Sequence, residues 1–248
     1  MATLYDPNHK EPYKLSRSKI ESFIRCPHCF YLDRRLGISQ PSGPGFTLNI
    51  AVDALLKNEC DGYRARKEPH PIAIEYHLDA IPYQPEPADL MDKWRNNFQG
   101  VPFLHTPTNF MVYGAIDDIW VTPGGELVII DYKATSKQGE IVFDQDYHDS
   151  YRRQLDIYVW LFKMNGYPVY EKAYFVYCNG IKGTNLFDNQ LNFKTVLIEH
   201  PLNTTWIDET LKNAQACLDE TNPPERSEKC QFCSYLTKVE TSRVKKDI

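Results

Sequence analysis

Four of the seven cysteines fall in two C-x-x-C pairs, Cys26/Cys29 and Cys230/Cys233, near opposite ends of a 248-residue chain. Two such pairs supply the four thiolates of a structural Zn²⁺ site or of an iron-sulfur cluster. If one centre takes all four, the first and last segments of the chain must meet. The opening MATLYDPNHKEPYK has acids and prolines where an export signal would have an apolar run. The expected compartment is therefore the reducing cytoplasm, where such spacing reads as metal ligation rather than disulfide bonding. Cys60, Cys178 and Cys217 lack that spacing and are expected to be buried apolar residues.

The length allows one large core, and 42% hydrophobic with 25% charged residues is the composition of a folded chain rather than a disordered one. No segment approaches the roughly 18 consecutive apolar residues of a membrane span. The formal charge of -5 lacks the basic excess by which many nucleic-acid binders are recognised. It does not exclude a metal-dependent nuclease, whose carboxylates gather at the site and whose cations invert the local field.

Helical periodicity is read in LSRSKIESFIRC, again after Cys29, and in LNIAVDALLKNECDGYRAR, where Leu48, Val52, Leu55 and Leu56 are assigned to one face. The proline-punctuated stretch over 69–90 predicts short extended pieces at best. FMVYGAIDDIWV, a PGG turn and ELVIIDYKA predict a hairpin. A long helix over 144–165 should follow, with Tyr151, Leu155, Tyr158, Val159 and Phe162 as its stripe and Gly166 as its stop. Two more strands and a helix over TTWIDETLKNAQACLDE complete an α/β reading: one domain over 1–248 with a central mixed β-sheet flanked by helices, the cysteine pairs joining its termini.

Within the second arm of the hairpin, Asp131 and Lys133 are two apart and share a face, while Tyr132 points to the other. Asp117 on the first arm can come alongside Asp131, so two carboxylates and an ammonium would share one surface. Oxygen donors with open positions suit Mg²⁺ or Mn²⁺. Such an ion activates water and neutralises charge developing on a phosphate. Asp118 points away if the strand is regular and reads as a structural acid. Arg152 and Arg153, and Arg64, Arg66 and Lys67, are candidate phosphate contacts or exposed helix faces.

These motifs resemble the PD-(D/E)XK nucleases, in particular the RecB-type branch: GAIDD at 114–118, IIDYKAT at 129–135 and QLDIY at 154–158 stand in the family's order. The resemblance implies that Asp117 and Asp131 ligate the metal, that Lys133 is the catalytic lysine, and that Gln154 and Tyr158 help position DNA or the site. It also implies cleavage of DNA, at single strands or ends, in repair or recombination, alone or beside a separate helicase, since no G-x-x-x-x-G-K-[ST] motif is present. Where relatives carry a histidine, in a pattern like AVHALL, this chain has AVDALL, so Asp53 takes the place of that ligand. Relatives with cysteine clusters hold a [4Fe-4S] cluster on one N-terminal and three C-terminal cysteines. The two-and-two split departs from that pattern and also suits zinc, with the cluster kept as the first reading. The rival readings are an inactive nucleic-acid- or protein-binding module on the same fold, and a zinc-ribbon protein with a coincidental D-x-K.

Overall fold

The run LVIIDYKAT is apolar at five of its first six positions apart from one acid, and it forms the central strand of the larger sheet. The computed structural model describes residues 3–43, 45–137, 146–182, 186 and 188–244. In chain order its elements are β1 (Tyr13–Ser16), α1 (Arg17–Arg25), α2 (Pro27–Arg35), α3 (Thr47–Arg66), α4 (Pro71–Glu75), β2 (Ile81–Pro82), α5 (Leu90–Arg95), β3 (Val101–His105) and β4 (Phe110–Gly114). There follow β5 (Asp118–Val121), β6 (Leu127–Thr135), α6 (Asp146–Met164), β7 (Lys172–Gly180), β8 (Phe193–Pro201), α7 (Ile207–Asp219) and α8 (Gln231–Val244). The five-stranded sheet has the order β2-β5-β6-β7-β8, and β1-β4-β3 form a second sheet. In the larger sheet only β6 and β7 run parallel; the other neighbours are antiparallel. The α/β class with a mixed sheet and flanking helices is therefore what the chain adopts.

Packing divides the chain into two compact units. The first comprises Met1–Pro44, Leu104–Val112 and Thr205–Ile248, and the second Gly45–Phe103 with Tyr113–Thr204. In the second unit the pleat of β6 sorts its residues. Val128, Ile130 and Tyr132 pack with Tyr174, Val176 and Cys178 of β7, with Cys60 of α3 and with Ile72 and Ala73 of α4. The opposite face of β6 carries Asp131 and Lys133, and there Lys133 reaches Gln154 of α6. Helix α6 is buried on every side from Gln154 to Phe162, as expected of a helix crossing between parallel strands. Its one buried acid in that stretch, Asp156, accepts from His200 Nε2 of β8 at 2.8 Å.

The predicted hairpin is corrected at its first arm. FMVYGAIDDIWV is two strands, because the chain bends over Ala115–Asp117 and β4 joins the smaller sheet while β5 pairs with β6. The bend is held by α5: Ile116 N–H donates to Trp94 O at 3.1 Å and Arg95 Nε to Asp117 O at 2.9 Å. Two glycines admit this approach. A Cβ on Gly100, at φ +58, would lie 2.4 Å from Gly114 O, and one on Gly114 would lie 2.7 Å from the Tyr158 ring. The 69–90 stretch likewise contains more than extended pieces, since prolines at the first turn start α4 rather than prevent it. On α3, Val52 and Leu56 pack on the core with Cys60, but Leu48 and Leu55 are exposed. At about 100° per residue Leu55 lies well off the stripe that Val52, Leu56 and Cys60 define, whereas Leu48 continues that i, i+4 row but sits in the first turn of α3, ahead of the packed residues.

Asp118, with no exposed surface, anchors the same region. Its carboxylate pairs with Arg64 of α3 and with Arg95 of α5, accepts from the Tyr132 hydroxyl at 2.7 Å and from Ile119 N–H at 2.7 Å. Arg64 is thus committed to a buried ion pair and to Tyr83 O, not to an exposed helix face. In the first unit Asp33 of α2 plays a parallel part, paired with Lys19 of α1 and Arg34 and accepting from Ser39. Burial pushes the Asp33 carboxyl up, but these partners outweigh it and hold the pKa at about 2.

Asp118→Ala strands two guanidiniums in the interior and is expected to cost about 3–5 kcal/mol in urea unfolding; a loss below about 1 kcal/mol contradicts the network's role. The Asp33 contribution is present above the ordinary carboxyl pKa and lost as pH falls through the depressed one. The stability advantage of wild type over Asp33→Asn should therefore shrink as pH falls from about 4 toward about 2, which denaturant titrations across that range measure.

Candidate active site and metal centre

The antiparallel register puts Asp118 opposite Ile130, so the bend residue Asp117 lies where the ladder would next oppose Asp131. Asp117 Oδ2 accepts the Tyr132 N–H at 2.9 Å, which fixes the carboxylate at that strand end. Asp131 is fully buried and forms an ion pair with Lys133. Lys133 Nζ also donates to Gln154 Oε1 at 3.3 Å, and Gln154 Nε2 donates to Tyr158 Oη at 2.9 Å. The chain Asp131–Lys133–Gln154–Tyr158 therefore runs from β6 into α6, and the candidate residues from three separate motifs do converge. Tyr151, one turn before Leu155 on the helix, holds its ring 4.8 Å from Lys133 Nζ, a cation-π contact.

Burial disfavours the charge on Lys133, but Asp131 and then Asp117 outweigh it and raise the ammonium's pKa above its ordinary value. Asp53 of α3 behaves in the opposite sense to a typical paired acid. Burial and then the Asp117 charge raise its pKa, against the pull of Lys57 and Arg95. Asp53 pairs with Lys57 Nζ at 2.8 Å, and the same nitrogen reaches Asp117 Oδ1 at 3.3 Å. A small cavity of about 90 Å³ beside these residues is lined by Asn49, Asp53, Tyr132, Lys133, Ala134 and Tyr151 among others.

The three aspartates are an all-oxygen donor set of high negative charge, which fits a hard divalent cation such as Mg²⁺ or Mn²⁺ in type and charge. They do not close into a cage: among the described residues, only the four cysteines bring all their ligand atoms within 4.8 Å of one another. Lysines stand on the carboxylates instead. Lys57 was not singled out in the sequence, although its i+4 spacing from Asp53 in AVDALLK was the signal that could have found it. Arg95 was also missed, because nothing local marks a residue that acts on a bend 20 positions away. Asp118 is the structural acid its alternation predicted.

The cysteine site belongs wholly to the first unit and draws on both ends of the chain. Each C-x-x-C opens a helix: Cys26 caps α2 and Cys29 lies in its first turn, and Cys230 immediately precedes α8 with Cys233 in its first turn. Cys26 Sγ lies 3.6 Å from Cys233 Sγ, and Cys29 Sγ lies 3.7 and 3.6 Å from those of Cys230 and Cys233. All four are buried. Burial pushes the Cys29 thiol up and Cys233 to about 11. Cys230 goes the other way: burial would raise it, but the Cys233 N–H, its cysteine neighbours and the Phe232 N–H bring it down to about 7. A helix N-terminus stabilises a thiolate in this manner. His28, inside the first pair, is turned to Pro224 O at 2.7 Å and ties down the loop before Cys230. Cys60, Cys178 and Cys217 are buried elsewhere, as expected of apolar residues.

Comparison with known proteins bears on the same segments. No curated protein matches the chain. Among solved structures, the crystal structure of SSO0001 is similar at 16% identity with a TM-score of 0.44, over 88% of this chain and 82% of that one. A family model, that of the PD-(D/E)XK nuclease superfamily, matches residues 48–237. That span begins on α3, contains every carboxylate and lysine of the strand-end site, and reaches past the second cysteine pair. The chain belongs to the PD-(D/E)XK nuclease superfamily.

Proposed function

We propose that this protein is a divalent-cation-dependent deoxyribonuclease of the RecB-type branch, acting on single strands or ends of DNA, in the cytoplasm, in repair or recombination. The observation that carries the reading is the convergence of Asp117, Asp131 and Lys133 at one strand end, with Gln154 and Tyr158 continuing from the lysine into α6. Burying an acid beside a lysine is often no more stabilising than burying an apolar pair of similar size. Function is the better reason for keeping both. A separate helicase is the natural source of single strands for a chain without a nucleotide-binding motif.

Asp117 and Asp131 would hold the cation, with Asp53 as the third carboxylate on the helix side. When bound, that ion polarises the phosphate and lowers the pKa of an attacking water. Lys133 keeps its proton between Asp131 and Gln154, so it meets the phosphate as an ammonium and offsets charge on the non-bridging oxygens. Gln154 spends its amide oxygen on Lys133 and its amide nitrogen on Tyr158, which fixes the lysine's direction. The bend over Ala115–Asp117, pinned by Arg95, keeps Asp117 facing Asp131.

We read the cysteine centre as a single zinc ion. Four thiolates at about 2.3 Å from one tetrahedral ion stand about 3.8 Å apart, and three sulfur separations of 3.6 to 3.7 Å, with all four sulfurs within 4.8 Å of one another, support that arrangement. A [4Fe-4S] cluster binds each thiolate to a different iron and needs wider spacing.

End-labelled single- and double-stranded DNA should be cut only with Mg²⁺ or Mn²⁺, and Asp117→Ala, Asp131→Ala and Lys133→Ala should each slow cleavage by on the order of a hundredfold or more. Cleavage by all three at the wild-type rate rules out the assignment. Elemental analysis of protein purified without oxygen should find one zinc per chain. Any of the four Cys→Ser changes should lower the melting temperature sharply, because metal binding to this site is folding free energy. Iron with broad visible absorbance would restore the cluster.

A further inference from the structure

Lys57 is the cation that the sequence did not announce. An i,i+4 pair with Asp53 on a helix surface would be ordinary, worth a few tenths of a kcal/mol. Lys57 does more than that: its nitrogen bridges Asp53 on α3, at 2.8 Å, and Asp117 on the bend before β5, at 3.3 Å. It is only one-fifth exposed. It therefore holds together two carboxylates that come from separate elements and that would otherwise repel.

A divalent cation would compete with Lys57 for that position. To bind Asp117 a hard ion must come within about 2.0–2.6 Å of a carboxylate oxygen, and Asp117 Oδ1 already faces the Lys57 ammonium while Oδ2 accepts the Tyr132 N–H and keeps a second lone pair. Ion and ammonium would be crowded on one oxygen with like charge. The charge count points the same way. Three aspartates against Lys57 and Lys133 leave one net negative charge in the metal-free site, and a divalent ion converts this to one net positive charge. That is the complement of a single phosphodiester, provided both lysines stay nearby.

Resting on the nuclease reading of this site, we infer that Lys57 is a tethered counter-ion: it closes the Asp53–Asp117 pair in the metal-free protein, is displaced by the entering divalent cation, and then turns its ammonium to the substrate phosphate. Its unbranched four-carbon stem allows such a swing without movement of α3. The metal concentration at which the site fills is then set by competition between an ion and a side chain.

Mn²⁺ binding to the full-length protein without nucleic acid, followed by the electron paramagnetic resonance of the free ion, tests this apart from activity. Wild type, Lys57→Met, Lys57→Gln and Asp117→Asn are compared. Removing the competitor should tighten Mn²⁺ binding on the order of tenfold in both Lys57 variants. In chelator both should melt below wild type, since Asp53 and Asp117 then face each other uncompensated, and Mn²⁺ should raise their melting temperature more than it raises that of wild type. Asp117→Asn should lose the binding. If Mn²⁺ binds wild type in an Asp117-dependent way and the Lys57 variants bind no more tightly, the displacement is wrong and the nuclease reading stands. If no Asp117-dependent binding occurs in wild type or in either variant, both fall together.

Discussion

The second unit is organised around one fully buried carboxylate. Asp118 is charged, inaccessible and satisfied by Arg64, Arg95, the Tyr132 hydroxyl and a backbone N–H. Those partners come from α3, α5, β6 and β5, so the cost of burying the charge is met only when all four elements are in place. A network of this kind is weak as a source of net stability but strict about geometry, because any partner's absence leaves an uncompensated ion. Burial also pushes the Tyr132 phenol, which donates to Asp118, well above its ordinary pKa, with the Asp118 charge adding to the shift. It therefore remains a donor at every pH the protein meets.

The neighbouring acid is arranged for the opposite purpose. Asp117 lies outside the strand, and Arg95, which clamps its carbonyl, is the same residue that pairs with Asp118. Two consecutive aspartates thus divide the work: one is sealed beneath α3, and the other is held at the strand end with its oxygens toward Tyr132 N–H and Lys57. The positions of Asp131 and Lys133 follow from β6 alone, since the pleat that packs Val128, Ile130 and Tyr132 into the core turns those two to the α6 face. The first unit holds a site of contrasting chemistry, with soft cysteine sulfurs at helix starts, where the Cys233 and Phe232 N–H groups favour the anionic form of Cys230.

Much of this was legible because it depends on local periodicity. Period-two alternation separated Asp131 and Lys133 from Tyr132 by face along β6, and helical spacing found α3, α6 and α7. The paired C-x-x-C motifs foretold that both ends of the chain would meet in one centre, and their sulfurs do. What escaped had non-local causes. The break at Ala115–Asp117 is hidden in an unbroken β-prone run, because α5 captures its hydrogen bonds and Gly100 and Gly114 admit the close approach. Leu48 and Leu55 read as core residues by hydrophobicity, yet Leu55 lies off the stripe through Val52, Leu56 and Cys60, and Leu48 precedes its packed part at the start of α3. The i+4 spacing of Lys57 from Asp53 could have marked it, but its contact with Asp117, 60 positions away, had no local signal.

Every role proposed at the strand end requires that Asp117 and Asp131 together hold a divalent cation. Crystals soaked in Mn²⁺ and measured at a wavelength where manganese scatters anomalously test it directly. One anomalous peak within about 2.0–2.6 Å of oxygens of both Asp117 and Asp131 is the expected result. No peak at that strand end, with manganese bound elsewhere or not at all, would contradict it.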